Sequence, residues 1–504
     1  VDMYGKFGEL AKAQRVFDEL QSRNIVCWNA LISGYVQYGC SEEALNCFQQ
    51  MQREGMSPDP VTFVCILKAC GNINAADKGR EIHDEIVRRR LLRKDTFLGT
   101  ALLDMYAKCG QFSKAMEVLD QLPSRNVVSW NALIAGYVKY NQCEEAVKHY
   151  DQMHREGLSP DAVTFVCVLK ACAGIRAAEK GKEIHDEIVR LRLLEKNTLI
   201  GNALIDMYAK CGAVAKAQEV FDELQVRDVV SWTALIAGYT QHGHAEEALR
   251  WFHNMQHDGP NPNAITYVCI LGACASMGAV DKGKEIHGEV VRSGLLENNV
   301  LLGNALVDMY AKCGALGKAQ KVFDRLPMRD IVSWNALIAG YAQLGNDNIA
   351  YLFDKMMGGG VDPDRVTFTV ILNACSDLGM LEKGQMCFER MRADYGMIPT
   401  LEHYTCLVDL FGRAGHFENA VAVVEKMPTS DYLPVWTSLL GACQKWGNVE
   451  LGRLAFEHAI RLDVKHVATY VCMRNIYIGA DMQDYADKIH AMKMENCMHG
   501  GIVD

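Results

Sequence analysis

The residues with the clearest potential for chemistry are three His-x-Glu triplets at a fixed spacing. They are His83-Asp84-Glu85, His185-Asp186-Glu187 and His287-Gly288-Glu289. In zinc deaminases such a histidine binds the metal and the glutamate transfers protons, while a C-x-x-C motif completes the site. The chain has 19 cysteines but no C-x-x-C motif, no P-loop and no G-x-S-x-G element. We therefore predict that the protein is not an enzyme, has no catalytic residue, metal site or cofactor, and uses the triplets as part of a structural repeat.

The cysteines recur in the same way. Three C-x4-C pairs are present, at Cys65/Cys70, Cys167/Cys172 and Cys269/Cys274, and the sequence AKCG contains Cys109, Cys211 and Cys313. Cysteines that belong to a repeat behave as small buried side chains. Nineteen cysteines are ordinary for a chain of this length, so we expect free thiols and a reducing compartment.

Composition narrows the class of protein further. The 504 residues are 49% hydrophobic and 23% charged, which is typical of a folded chain, and the net charge is -10. Such an acidic chain is unsuited to holding nucleic acid by bulk electrostatics, although it could still read bases individually. Mean hydropathy is -0.05 and no apolar run reaches about 18 residues, so no membrane span or membrane partner is predicted. No leader sequence is recognised at the amino end, which opens inside a helical pattern.

An internal repeat organises the sequence. Five tryptophans lie 102 positions apart, at Trp28, Trp130, Trp232, Trp334 and Trp436. Each 102-residue cycle divides into units of 35, 36 and 31 residues, for example 25–59, 60–95 and 96–126. Within a unit, apolar residues follow helical spacing in two short stretches separated by a break, and the prolines lie at or beside unit junctions. The pattern predicts an all-α fold, an α-solenoid of helical hairpins.

Three strings carry a family resemblance. WNALIAGYVKYNQCEEAVKHYDQM, VTFVCVLKACAGIRAAEKGKEIHDEI and GNALIDMYAKCGAVAKAQEVFDEL resemble the P, L and S motifs of plant organellar pentatricopeptide-repeat proteins of the PLS subclass. The resemblance implies a right-handed α-solenoid of helix-turn-helix repeats. It divides residues 1–432 into a partial S unit, 1–24, and four P-L-S cycles, 25–126, 127–228, 229–330 and 331–432. Residues 433–504 resemble a tetratricopeptide-like tail of two E motifs without a deaminase domain.

The resemblance also implies which residues bind RNA bases. In this family the fifth residue of a P or S unit and its last residue contact one base. These pairs are Asn29/Asp59, Thr100/Asn126, Asn131/Asp161, Asn202/Asp228, Thr233/Asn263, Asn304/Asp330 and Asn335/Asp364, and Asn24 and Thr405 are further candidates. An Asn at the fifth position always accompanies Asp, and a Thr always accompanies Asn, a coupling that indicates spatial contact. Helix capping is the alternative explanation of the residue types, but it does not explain the coupling.

By the family's recognition pattern, Asn with Asp prefers U, with C second, and Thr with Asn prefers A. The predicted target from Ile25 to Asp364 is U-n-A-U-n-U-A-n-U-U, where n is unread. Three L units carry Val64, Val166 or Val268 at the fifth position and cannot read a base edge. The last units are ambiguous, since they carry Thr369/Thr400 and Thr405/Tyr432.

Two further sets of residues are candidates for RNA contact. The second residues of the units are apolar and either stack between bases or pack in the core; they are Val26, Phe97, Val128, Leu199, Val230, Leu301 and Val332. Basic residues eight positions after a fifth residue turn by roughly 80° beyond two full circles of the helix, near the same face. They are Lys108, Lys139, Lys210, Lys312 and Arg413, and they either contact phosphates or are solvated side chains.

The resemblance therefore implies a sequence-specific single-stranded RNA-binding protein that recognises sites for C-to-U editing in the mitochondrion or chloroplast. It implies two kinds of protein partner: multiple organellar RNA editing factors docking on L units, and a deaminase acting in trans. Two alternatives remain open. One is an organellar RNA processing, stability or splicing factor, and the other is a protein-binding solenoid of tetratricopeptide type.

Overall fold

A computed structural model describes residues 1–92, 95–194, 197–297, 299–345 and 348–498, so residues 499–504 of the expected tail lie outside it. The described parts contain α-helices and no β-strand, and they form two compact units, Val1–Asn263 and Ala264–Asp504. The prediction of an all-α solenoid of hairpins is confirmed within each unit. No helix in the described ranges is both long and apolar enough to cross a membrane.

The first compact unit contains sixteen helices in its described residues. They are α1 (Asp2–Lys6), α2 (Leu10–Asp18), α3 (Ile25–Gln37), α4 (Ser41–Arg53), α5 (Pro60–Asn72), α6 (Ala76–Arg88), α7 (Thr96–Lys108), α8 (Phe112–Gln121), α9 (Val127–Lys139), α10 (Cys143–Arg155), α11 (Ala162–Gly174), α12 (Ala178–Arg190), α13 (Thr198–Lys210), α14 (Val214–Glu223), α15 (Val229–Gln241) and α16 (Ala245–Asp258).

The second compact unit contains fourteen helices in its described residues. They are α17 (Ala264–Met277), α18 (Val280–Arg292), α19 (Val300–Lys312), α20 (Leu316–Arg325), α21 (Ile331–Gln343), α22 (Ile349–Gly358), α23 (Arg365–Leu378), α24 (Leu381–Ala393), α25 (Leu401–Arg413), α26 (Phe417–Glu425), α27 (Leu433–Trp446), α28 (Val449–Leu462), α29 (Val467–Gly479) and α30 (Gln483–Met498).

Consecutive hairpins stack through their first helices. In the first compact unit α3 packs on α5, α5 on α7 and α7 on α9, and the same succession of odd-numbered helices runs from α17 to α29 in the second. Most second helices pack on their own first helix and on the first helix of the next hairpin, as α4 does on α3 and α5. The helices that open successive hairpins therefore form a continuous row within each compact unit.

Small residues and aromatic pairs allow this stacking. A Cβ added at Gly136 in α9 would lie 2.7 Å from the Cβ of Ala107 in α7, so the two first helices touch through their smallest side chains. On the other side of the first helices, Trp28 packs edge-on against Phe17 with ring centroids 4.5 Å apart, and Trp334 does the same against Phe323 at 4.6 Å. These aromatic pairs bury large apolar area between hairpins.

The cysteines of the described residues are free thiols, and ten of them are buried. Burial raises the pKa of Cys70 and of Cys172 to about 12 in each case, because an apolar environment disfavours the thiolate. These cysteines act as small packing residues, as their recurrence in the sequence indicated.

Candidate functional site

The hairpin boundaries place the two members of each expected pair side by side. The last residue of a unit is the N-cap of the next first helix, as Asp161 is for α11. The fifth residue lies one turn into the preceding first helix, as Asn131 does in α9. Because consecutive first helices stack directly, the cap of one helix meets the first turn of its neighbour. We call each of these meeting points a joint.

All five Asn/Asp pairs are hydrogen-bonded, with the asparagine Nδ2 donating to the aspartate carboxylate. The distances are 3.0 Å for Asn29–Asp59, 2.9 Å for Asn131–Asp161, 3.1 Å for Asn202–Asp228, 3.0 Å for Asn304–Asp330 and 3.2 Å for Asn335–Asp364. The same aspartates accept backbone N–H groups at the start of the next helix. One carboxylate thus caps a helix and also orients the amide of the neighbouring helix.

The Thr/Asn pairs have a different geometry. Thr100 Oγ1 donates to the carbonyl of Thr96 in its own helix at 2.9 Å, and Thr233 Oγ1 donates to the carbonyl of Val229 at 2.6 Å. Asn126 caps α9 by accepting from the Ser129 backbone N–H. The coupling of residue types seen in the sequence thus has a physical basis where Asn meets Asp, while the Thr100 hydroxyl is satisfied within its own helix.

A third side chain, which the sequence reasoning did not single out, completes three joints, those that follow the units 25–59, 127–161 and 331–364. Thr62, Thr164 and Thr367, each the third residue of a 36-residue unit, donate a hydroxyl to the asparagine Oδ1 at 2.6, 2.6 and 2.7 Å. They also close a reciprocal capping box with the aspartate. The Asp-x-x-Thr spacing is the sequence signal that could have found them.

The joints that follow 31-residue units have serine in the same place. Ser231 Oγ donates to the backbone carbonyl of Asp228 at 2.8 Å, and Ser333 Oγ donates to that of Asp330 at 2.7 Å. Asn202 and Asn304 are 7% and 5% exposed, and their Oδ1 atoms are buried without a hydrogen-bond partner. Their amides are therefore held by the aspartate at one end only.

Hydrogen bonds lower the pKa of the aspartate at four of the Asn/Asp joints. Partial burial favours the neutral carboxyl, but bonds from the Thr164 backbone, Asn131 Nδ2 and Thr164 Oγ1 outweigh it and lower the pKa of Asp161. The pKa values of Asp59, Asp228 and Asp364 are lowered for the same reasons. Each of these joints therefore carries a negative charge that fixes the asparagine with its N–H group toward the carboxylate.

The second residues of the units are exposed and do not pack in the core. Their exposed fractions run from 51% at Val230 to 84% at Phe97, with Val26, Val128, Leu199, Leu301 and Val332 between these values. The 36-residue units present equivalent side chains that the sequence reasoning missed, Val61, Val163, Ile265 and Val366, all more than half exposed. Each compact unit therefore shows a row of apolar side chains beside its joints.

The basic residues proposed for phosphate contact already have partners. Lys108, Lys210 and Lys312 form ion pairs with Asp104, Asp206 and Asp308 one helical turn earlier, at 2.6, 2.8 and 2.8 Å. Arg413 pairs with both Asp409 and Asp377, and Lys139 Nζ donates to the Lys108 carbonyl. A phosphate would have to exchange with these partners, at small cost because the pairs are partly exposed.

The remaining candidates lie at less regular positions. Asn24 caps α3 and accepts from the Cys27 backbone at 3.0 Å. Thr405 Oγ1 donates to the Leu401 carbonyl, and Tyr432 precedes α27 without a side-chain cap. His403, fully buried, bridges Thr400 and the Arg365 carbonyl where other joints have Thr or Ser. Val64, Val166 and Val268 are half-buried and offer no polar atom.

The His-x-Glu triplets do not gather metal ligands. His83, His185 and His287 each place Nδ1 about 3.0 Å from a tyrosine hydroxyl of the next hairpin, those of Tyr106, Tyr208 and Tyr310. No cluster of three or more potential ligands occurs within the described ranges. In this structure the histidines join hairpins to one another.

The protein is a modular helical-repeat protein. Its stacked hairpins share a hydrogen-bonded polar pair at the Asn/Asp joints, with an exposed apolar side chain beside it. A family model described as "PPR repeat family" matches residues 23–72, 125–174, 227–276 and 329–377. A second family model, described as "PPR repeat", matches residues 1–25, 100–127, 202–229, 265–295, 304–331, 366–394 and 402–432. The chain belongs to the pentatricopeptide-repeat (PPR) family.

Relatives from Arabidopsis thaliana support this assignment. Pentatricopeptide repeat-containing protein At3g57430, chloroplastic, is 36% identical over 97% of this chain and 56% of its own length. The chloroplastic At1g11290 is 37% identical, with 97% and 60% covered, and the mitochondrial At2g03380 is 34% identical, with 97% and 71% covered. Their names agree with the organellar localisation expected from the sequence. The chain spans little more than half the length of the first two relatives.

Solved structures show the same fold. The maize pentatricopeptide repeat protein PPR10 matches with a TM-score of 0.51 and 18% identity, covering 98% of this chain and 83% of that one. PPR10 in complex with an 18-nt psaJ RNA element matches with a TM-score of 0.50 and 18% identity, covering 98% and 88%. At this identity the comparison concerns the solenoid alone.

Proposed function

We propose that this chain binds single-stranded RNA sequence-specifically and selects sites for C-to-U editing in an organelle. The observation that carries the proposal is the set of five Asn/Asp joints with one repeated geometry. Modular RNA readers use two or three side chains per repeat to bond the edge of one unstacked base. PPR10, a structural neighbour, is described in complex with an RNA element, which fits the same use of the fold.

The hydrogen bonds at the joints support the proposed preference for U. At Asn131 the Oδ1 accepts from Thr164 and one N–H donates to Asp161, so one N–H of the amide is left to donate to a base. The O4 atom of uracil accepts such a bond, whereas the N4 amino group of cytosine is itself a donor. The Asn/Asp joints then read U, the Thr/Asn joints read A, and the proposed target is U-n-A-U-n-U-A-n-U-U.

The exposed apolar row and the basic residues complete the proposed RNA-binding surface. Phe97 and its equivalents separate neighbouring bases, which favours an unstacked strand. Lys108, Lys139, Lys210, Lys312 and Arg413 exchange their present partners for phosphates, so binding is expected to weaken with salt. The tail, 433–498 in the structure, continues the stack through α27 on α25 and serves as the proposed E region.

Deamination is assigned to a deaminase acting in trans, as the family resemblance implies, and the His-x-Glu triplets of this chain instead bond to tyrosines of the next hairpin. Organellar RNA editing factors are proposed to dock on the 36-residue units, whose fifth residues offer no base-reading group. The rival function, processing or stabilising transcripts, uses the same RNA contacts. Loss of C-to-U editing in a null mutant favours editing, whereas altered transcript ends with intact editing favour the rival.

The sharpest test gives one joint the residue pair of another 35-residue unit of the chain. The double variant Asn131→Thr plus Asp161→Asn reproduces the pair Thr233/Asn263, which also follows a 35-residue unit. Gel shifts should show that the wild type prefers U and the variant prefers A at one position of the target, by a factor of about 10 for a contact of about 1–3 kcal/mol. An unchanged preference at that position, with RNA still bound, would show that this joint does not read the base.

A further inference from the structure

Second helices form a cleft at two junctions between a 36-residue and a 31-residue unit. One such cleft lies between α18 and α20, with Tyr310 of α19 beneath it, and we call it the α18–α20 cleft. Its equivalent one cycle earlier, between α12 and α14 with Tyr208 beneath it, is the α12–α14 cleft. Neither cleft contains a residue of the joints, so both are available for a separate role.

The α18–α20 cleft is the larger of the two and combines apolar walls with a basic rim. Its volume is about 580 Å³, against about 170 Å³ for the α12–α14 cleft. Val291, Leu296, Val322 and Leu326 form its walls, while the cations Lys318, Lys321 and Arg325 lie on one face of α20. A volume of this size falls in the range that accommodates a ligand or a side-chain anchor.

The two clefts differ in net charge although equivalent helices form them. The α12–α14 cleft is lined by two lysines and three acidic residues, Lys182, Lys216, Asp186, Glu219 and Glu223, whose net charge is two minus three. The α18–α20 cleft has three cations and one acid, Glu297, with a net charge of three minus one. Three of the acidic positions are replaced, Asp186 by Gly288, Glu219 by Lys321 and Glu223 by Arg325. Because both hairpins fold alike, folding does not require this reversal.

The cations of the α18–α20 cleft are also unpaired. Lys318, Lys321 and Arg325 form no ion pair with any acidic side chain in the ranges that the structure describes. Other lysines of the same two hairpins are paired, Lys282 with Glu285, Lys284 with Asp281 and Lys312 with Asp308. In a chain of net charge -10, three adjacent unpaired cations at the rim of a pocket favour an anionic occupant.

The difference in charge between the two clefts also acts on the pKa of the histidine below each cleft. Burial lowers the pKa of His287, and the charges of Arg325 and Lys318 lower it further. Burial also lowers the pKa of His185, but there Glu223 and Asp186 act in the opposite direction. The leading charge contributions to the pKa values of the two histidines therefore act in opposite directions.

The floor of the cleft favours a peptide over a nucleic acid. Bases bind to single-strand sites by stacking on open aromatic faces. Tyr310 is only 2% exposed and Lys318 Nζ lies over its ring at 5.8 Å from the centroid, so the cleft offers no open aromatic face. Its aliphatic walls suit a Leu, Ile or Phe side chain, and its rim suits carboxylates.

We propose that the α18–α20 cleft docks an acidic segment of a partner protein, with one apolar side chain in the pocket and carboxylates paired to Lys318, Lys321 and Arg325. These cations lie at positions i, i+3 and i+7 of α20, a spacing that places them in a single line. The inference does not depend on the RNA-reading role of the joints, which involve other residues.

The chain offers its own matched control. Lys321→Glu plus Arg325→Glu gives the α18–α20 cleft two of the three acidic residues of the α12–α14 cleft, which a folded hairpin already carries. A random 12-residue peptide display library, panned on the full chain and counter-selected on this variant, should enrich sequences with several Asp or Glu around one Leu, Ile or Phe. Anisotropy of the enriched peptides should show binding weakened roughly tenfold in the variant and weakened by 0.5 M salt.

The reciprocal variant, Glu219→Lys plus Glu223→Arg, should gain affinity for the same peptides at the α12–α14 cleft. Enrichment of basic or neutral peptides, or no enrichment over the counter-selected variant, would overturn the proposal. So would displacement of the enriched peptides by a U-rich oligonucleotide that binds wild type but not Lys321→Glu plus Arg325→Glu, since that result assigns the cleft to RNA.

Discussion

The joints after 35-residue units and those after 31-residue units hold the same Asn/Asp pair in different surroundings. At Asn131 both ends of the amide are bonded, with Nδ2 to Asp161 and Oδ1 to the Thr164 hydroxyl. At Asn202 only Nδ2 is bonded, because Ser231 turns its hydroxyl to the Asp228 backbone and the Oδ1 is left buried and unpaired.

The difference shows that the hydrogen bonding of an Asn/Asp pair depends on the third residue of the unit that follows. Asn131 and Asn335 are fixed at both ends of the amide, so their free N–H has one direction. Asn202 and Asn304 keep an unsatisfied acceptor, which costs about 1–3 kcal/mol in a buried position. Joints with the same two residues should therefore differ in rigidity and in how strictly they reject C. The following predictions test that contrast.

The largest effect is expected from removing the aspartate. Asp161→Ala takes away the cap of α11, the acceptor for Asn131 and the acceptor for Thr164 at once. Loss of the cap costs about 1 kcal/mol and the unpaired groups add about 1–2 kcal/mol, so chemical denaturation should show a loss of about 2–3 kcal/mol.

Asp161→Asn is the control for this change, because an asparagine side chain still caps the helix. It should lose no more than about 1 kcal/mol while weakening the preference for U in gel shifts. Equal losses for the Ala and Asn variants would contradict the double role assigned to the carboxylate.

The second prediction separates the two kinds of joint. Thr164→Val is nearly isosteric but removes the hydroxyl, so the buried Oδ1 of Asn131 loses its partner and stability should fall by about 1–3 kcal/mol. Ser231→Ala removes a hydroxyl that bonds only Asp228 and should cost about 1 kcal/mol or less. Denaturation midpoints of the two variants test this order, and a larger loss for Ser231→Ala would refute it.

Much of this arrangement could be predicted from the sequence. The 102-residue period and the 35/36/31 division locate hairpins because each unit needs a neighbour to cover its apolar face. The coupling of Asn131 with Asp161 indicated contact, and the structure has them bonded at 2.9 Å. A pairing of residue types that repeats through a chain carries long-range information without an alignment.

The features that could not be predicted depend on the orientation of side chains, which residue types alone do not specify. Thr164 and Ser231 occupy equivalent positions and both could cap, yet one hydroxyl reaches across the joint and the other turns back to the backbone. Val128 and Phe97 could equally pack inside or face outward, and only the orientation of the first helices exposes them. The sequence contains the basic residues Lys321 and Arg325 of the α18–α20 cleft, but only the packed hairpins show that these two residues line one pocket.

A third, smaller effect should follow from converting one joint into the other. Ser231→Thr introduces a threonine at the position equivalent to Thr164, whose hydroxyl bonds Asn131 Oδ1. The new hydroxyl should reach the unpaired Oδ1 of Asn202 in the same way. Satisfying that oxygen should raise the free energy of unfolding by about 0.5–1.5 kcal/mol and sharpen rejection of C at this position. Ser333→Thr should repeat the gain at Asn304, and a loss at both sites would show that the backbone of these joints cannot hold threonine.

The smallest effect concerns pH, because the aspartates at the joints are only partly buried. Hydrogen bonds lower the pKa of Asp161 and of Asp228 in the folded chain, while the unfolded value is about 3.9. Their contribution to stability is therefore present above about pH 4 and is lost as pH falls through the folded pKa. Between pH 5 and 3 the denaturation midpoint should fall less steeply for Asp161→Asn plus Asp228→Asn than for wild type. An equal slope for wild type and for Asp161→Asn plus Asp228→Asn would show that the joints do not control the acid sensitivity.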